Sequence, residues 1–262
     1  MPEETQFIEV ETRGRVSVVT LNRPEPRNAF NREMKKQFHD VLAALRWQKD
    51  CRVVVLTGAG SSFCSRADLA RGIGDGPVDT FWSLRLSTSM IMLLRELPQP
   101  VVAAVRGHAV GGGFSIASAA DLRIAAPDAR FHAPFAKLGM SAGDVGLSYF
   151  LPRLIGPAAA AELFYTGGVL DAPRALELRY LNRIAEDPLK EALELAQRMA
   201  ELSPMGIRQT KEMLNAGLGL GAFRDHLDLE MRTQVICSLT EDHAEAKAAF
   251  AQGQREPVFK DR

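Results

Sequence analysis

Two apolar runs, VVVL at 53–56 and VVAAV at 101–105, constrain this chain most. Each is too short for a buried helix, and each is bounded by turn residues: Thr57-Gly58 after the first, Pro98 and Pro100 before the second. Both therefore read as strands buried on both faces. Between them lies a helical pattern over roughly 78–97. Strand, helix, strand of this length places the two strands parallel, with a right-handed crossover.

The remainder fits around that unit. FIEVE at 7–11 and RVSVVTL at 15–21 read as strands about Gly14, and LRIAA at 122–126 as another. Asn31 is placed to cap a helix whose Met34, Phe38, Val41, Leu42 and Leu45 share a face. After Leu154 the patterns are helical: 157–165, 172–179 capped by Asp171, 188–202, 204–215, 220–237 and 241–252. The expectation is a mixed α/β body followed by a helical last third.

Lys plus Arg and Asp plus Glu both number 32 in the 262 residues, so no basic excess points to nucleic acid. No apolar run is long enough to span a bilayer, and no signal-like start is present. Cys51, Cys64 and Cys237 lack metal-ligand spacing and imply no disulfide framework. The expected setting is a reduced, cytoplasmic one, without nucleic-acid or membrane partners and without a metal.

Chemistry is concentrated in RGHAVGGGFSIAS at 106–118. A helix N-terminus carries unpaired N–H groups, and glycine there lets a ligand oxygen approach the backbone. The spacing of Gly111, Gly112 and Gly113 is neither GxGxxG nor a P-loop. Tight packing of a helix on a sheet would also explain such a triplet. A second backbone-exposing loop, GAGSSFCSRADLA at 58–70, follows the preceding buried strand. The C-terminal ends of parallel strands face one crevice, so N–H groups from both loops could converge on one oxygen. That arrangement stabilises a thioester enolate, whose charge gathers on the carbonyl oxygen.

At this point the sequence resembles the crotonase, or enoyl-CoA hydratase/isomerase, superfamily over essentially its whole length. LNRPEPRNAFN at 21–31, VVVLTGAGSSFCSRADL at 53–69, AAVRGHAVGGGFSIASAADLRIAA at 103–126 and the stretch at 149–184 match its motifs in order. The resemblance implies an α/β spiral of ββα units over residues 1–200 carrying an acyl-CoA site. It implies a helical region over 201–262 for assembly as a homotrimer or dimer of trimers. No separate cofactor is implied, because CoA is part of the substrate. On matching positions the oxyanion donors are the N–H groups of Ser65 and Gly112, with Arg66 where the family has glycine. Ala67 and Asp68 complete that loop, while Arg27, Phe259 and Lys260 match CoA-contacting positions.

The chain departs from the family where hydratases carry two glutamates. Ser115 occupies the first position and Phe135 the second, so the acid–base pair that hydration uses is absent. Asp144 is the remaining candidate. It aligns with a position that is acidic in dienoyl-CoA isomerases and 4-chlorobenzoyl-CoA dehalogenases, and it stands equally well as a helix cap. His108, His132 and His226 read as structural. Two rival classes follow from the residues: a non-catalytic acyl-CoA binder, and a serine hydrolase through GMSAG at 139–143, a formal GxSxG. Pro134 and Lys137 make the segment before Ser141 a poor strand, which argues against the second.

Overall fold

The structure is a computed structural model that describes residues 5–65, 74–219, 222–253 and 255–262. Its main sheet begins with an antiparallel hairpin of β1 (Ile8–Arg13) and β2 (Val16–Leu21), turned at Gly14. Parallel to β2 then run β3 (Val53–Gly58), β4 (Val101–Val105), β6 (Leu122–Ala125) and β9 (Arg183–Ile184), in that order. Side chains alternate across each strand. Val19, Leu21, Val54, Leu56, Val101, Ala103 and Val105 face one core, while Val16, Val18, Val53, Val55, Val102 and Ala104 face another. The two runs that open the sequence reading are buried on both sides for this reason.

Helices α1 (Arg32–Leu45), α2 (Pro77–Glu96) and α3 (Gly112–Ala119) cover the first face. Asn31 caps α1 as expected, its Oδ1 accepting the Met34 N–H at 2.7 Å. On the opposite face lies α7 (Pro188–Ala200), whose Ala192, Ala196 and Ala200 recur every fourth residue and let it approach the sheet closely.

A second, three-stranded sheet joins β5 (His108–Val110), β7 (Arg130–His132) and β8 (Val169–Asp171). None of these short strands, nor β9, is predicted by the sequence pattern. α4 (Leu147–Ile155) is also absent from that reading, and it precedes α5 (Pro157–Thr166) and α6 (Ala172–Glu177). Asp171 caps α6 through the Arg174 N–H at 3.0 Å. That helix stops two residues short of the expected end, where Arg179 turns the chain at φ +60°. The last third consists of α8 (Pro204–Gly217), α9 (Phe223–Ser238) and α10 (Glu241–Ala251). Among the described residues no helix is long and apolar enough to cross a membrane, and no cluster of side chains could hold a metal.

Candidate active site

The two loops expected to converge do so. Cys64 forms an isolated parallel bridge with Ala109 of β5, through Cys64 N–H to His108 O at 3.0 Å and Val110 N–H to Cys64 O at 2.9 Å. β5 then delivers the glycine triplet to the N-terminus of α3.

Each glycine meets a different physical demand. Gly111 adopts φ +52° with ψ −114°, a conformation that side chains avoid. A Cβ on Gly113 would stand 2.4 Å from Cys64 O and 2.8 Å from Cys64 Cβ, so this glycine permits the tight helix-to-strand packing. A Cβ on Gly112 would meet nothing within 4 Å. Gly112 is the first residue of α3, so its N–H has no carbonyl one turn back within the helix, and it opens on a cavity.

That cavity has a volume of about 100 Å³ and is walled mainly by apolar side chains, among them Phe30, Met90, Ile91 and Ile116. Among the described residues two ionisable side chains line it, Lys35 and Asp144. Burial pushes the Asp144 carboxyl above the usual carboxylate range, with the Lys35 ammonium partly opposing the shift. Burial likewise pulls Lys35 below the ordinary lysine range, opposed by Asp144. The capping role open to Asp144 is not taken up. Gly146 is the N-cap of α4 and no side chain bonds to that helix start, while Asp144 uses its backbone O to accept the Leu147 N–H at 2.9 Å. Beside it, Val145 holds φ +35°, a strained conformation for a β-branched residue.

The positions of the missing glutamates differ from each other. Phe135 lines the cavity. Ser115 does not: it is fully buried, and its Oγ donates to the backbone carbonyls of Gly111 at 3.2 Å and Asp144 at 3.1 Å. It ties the glycine turn to the Asp144 loop. Ser65 ends the described part of the other loop. Its N–H donates to Arg27 O at 2.9 Å and its Oγ to Pro26 O at 3.0 Å, so in this structure its donors are committed. Arg66, Ala67 and Asp68 lie outside the described residues.

Arg27 is exposed and lines an open groove with Ser65, His108 and Val110. Gly111 and Gly112, next after Val110 in the chain, line the cavity. Phe259 and Lys260 are not brought to either. Phe259 lines a separate hollow with Arg13 and Arg52, and its carbonyl accepts from Arg52 at 2.8 Å. The GMSAG match is not a nucleophile elbow, because a 3-10 turn (Phe135–Leu138) precedes it where an elbow needs a strand. Ser141 is exposed, and its Oγ accepts the Gly143 N–H at 3.0 Å. Lys35 is the site residue that sequence reasoning missed. Its signal was a charge at a position three before Phe38 and seven before Leu42, on the apolar face of α1.

A family model described as Enoyl-CoA hydratase/isomerase matches residues 11–262. The chain belongs to the enoyl-CoA hydratase/isomerase family. It is therefore an acyl-CoA enzyme of the hydratase/isomerase type, with the crotonase α/β fold. The chain is 38% identical to a Mycobacterium bovis protein named "Probable enoyl-CoA hydratase echA12", over 95% of its own length and 90% of that protein's. It is 32% identical to the short-chain-enoyl-CoA hydratase of Clostridium acetobutylicum, over 99% of this chain and 100% of the relative. A crystal structure of enoyl-CoA hydratase from Bacillus anthracis superposes with a TM-score of 0.94 at 30% identity, covering 98% of this chain and 100% of the other.

Proposed function

We propose that this family member moves a proton on an acyl-CoA thioester with a single carboxylate, Asp144, while the Gly112 N–H holds the enolate oxygen. The observation that carries this reading is the lining of the cavity. It brings a raised-pKa carboxyl and a free helix-terminal N–H to one apolar space, and neither position of the family's glutamate pair supplies an acid. Asp144 takes a proton from a carbon conjugated to the thioester, and the electron pair passes into the carbonyl to give the enolate. Charge on that oxygen is stabilised by the Gly112 N–H and the positive end of α3. Return of the proton to a different carbon shifts the double bond, and return to the same carbon gives exchange. Standard hydration asks for a second acid–base group, and Ser115 and Phe135 cannot provide one near neutral pH.

A panel of acyl-CoA thioesters, followed by mass spectrometry for product and for deuterium uptake from solvent, tests the reading. Double-bond migration or carbon-bound deuterium is expected, with slow hydration of crotonyl-CoA. Hydration of crotonyl-CoA at around 10³ per second, the upper range of ordinary enzymes, would contradict it. Tight thioester binding with neither product nor exchange would instead make the protein a non-catalytic binder.

The helical last third supports a second proposal, assembly into a homotrimer or dimer of trimers. On α9, Phe223, Leu227, Met231, Val235 and Ile236 are exposed, and Thr233 is the buried residue of that helix. An apolar helix face of this kind is ordinarily covered by symmetric association.

A further inference from the structure

Among the described residues that line the cavity, Lys35 is the ionisable group that the proposed chemistry does not use. It lies on the packed face of α1 and is 7% exposed, and a leucine or methionine there would continue the apolar stripe at lower cost. Its Nζ donates to Ser83 Oγ of α2 at 3.1 Å. An ammonium has three N–H donors, so that bond anchors the group and leaves others for the cavity. Asp144 lines the same cavity, and each group feels the other's charge, yet the two form no direct ion pair. Ser87 also lines that cavity, and most of the remaining lining is apolar.

A plain hydrocarbon tail fits that space badly, because it desolvates the ammonium without replacing its hydrogen bonds. A carboxylate tail would set a second negative charge near Asp144. A neutral oxygen accepts from Lys35 and adds no charge. Resting on the acyl-site reading above, we propose that Lys35 is a specificity residue: it holds a neutral oxygen, hydroxyl or keto, on the acyl chain and selects oxygen-substituted acyl-CoAs over hydrocarbon ones of equal length.

The test uses three four-carbon thioesters that differ at the chain end: butanoyl-CoA, 4-hydroxybutanoyl-CoA and succinyl-CoA. Their affinities are measured by calorimetric titration for the intact wild type and for Lys35→Met, which keeps length and bulk but removes the donors. The wild type should prefer the hydroxy ligand about tenfold, as one hydrogen bond to a charged donor provides. Lys35→Met should abolish that preference and bind butanoyl-CoA at least as well as before. Should that variant fail to fold, Lys35→Gln, which keeps a neutral donor, should retain a reduced preference. Equal wild-type affinities, a preference that survives Lys35→Met, or uniform weakening of all three ligands would overturn the proposal. Tightest binding of succinyl-CoA would overturn the neutral-oxygen assignment in favour of an acidic tail. Binding of none of the three would remove the acyl-site reading itself, a failure distinct from loss of selectivity.

Discussion

At Gly112 an added Cβ would meet nothing within 4 Å; one position later it would collide with Cys64. This separation makes Gly112→Pro a usable probe. Proline is accepted at the first position of a helix, and here an added Cβ meets nothing within 4 Å. The variant loses the N–H donor, and kcat should fall by roughly 10²–10³ on the best thioester, with circular dichroism unchanged. A folded variant of near-native rate would exclude Gly112 from the chemistry. Asp144 permits a pH prediction. A base must be ionised to act, so activity should rise with pH through a midpoint above the ordinary aspartate value of ~3.9. Because the Lys35 charge lowers that pKa, Lys35→Met should move the midpoint higher still; a midpoint that stays put or falls would show the two groups to be uncoupled. Asp144 was legible in the sequence as a candidate, but its choice between cap and base was not, since that depends on where α4 starts. The bonding of Ser65 was likewise not legible. Its commitment to Arg27 O arises from a turn 38 residues earlier in the chain, in which Arg27 and Asn28 both hold φ +58°.

The long elements follow from their patterns, and the short ones do not. β3 and β4 are continuous apolar runs, and α1 and α7 have clear faces. By contrast β5, β7 and β8 are three residues each, too short to display a period, and they exist because they pair with one another. β5 nevertheless positions the site, by carrying Cys64 on one side and α3 at its end. The seat of α3 is tight at both ends. Below it Arg123, 5% exposed, donates to Ala120 O at 2.6 Å and Tyr180 O at 2.7 Å, with its guanidinium over the Tyr180 ring. Burial of that ring and its hydroxyl pushes the Tyr180 pKa up to about 12. Arg123→Met should leave those carbonyls without donors and cost ~3 kcal/mol in urea unfolding, at one or more unsatisfied buried groups. A loss below ~1 kcal/mol would mean that the carbonyls find other partners. Gly113→Ala, which drives a Cβ into Cys64 O, should destabilise the fold far more than Gly112→Ala does.

Over the whole molecule the C-terminal tail acts first on its own chain. Asp242, 2% exposed, accepts the N–H groups of Lys260 and Asp261 at 2.7 and 2.9 Å, and Asp261 takes a two-pronged bond from Arg208. Partly exposed Glu245 pairs with Arg255, which holds its carboxyl down at about 2. Removal of residues 255–262 should therefore lower the melting temperature by several degrees, since it strands a buried carboxylate. An unchanged melt would show the tail to be dispensable to the fold. Light scattering at micromolar concentration should report a trimer or hexamer, and a stable monomer would leave the apolar face of α9 unexplained. The family and its α/β architecture were legible because its motifs are local in the chain. The presence of Lys35 and Asp144 in one cavity was not, because 109 positions separate them and only the packing of α1, α2 and the Asp144 loop around that cavity brings them together. The most direct test of that cavity's chemistry is solvent-deuterium exchange into a bound acyl-CoA, compared between wild type and Asp144→Asn. Exchange should fall by roughly 10²–10⁴ in the variant while thioester affinity and melting temperature hold. Exchange at the wild-type rate in a folded, ligand-binding Asp144→Asn protein would contradict the assignment of Asp144 as the base.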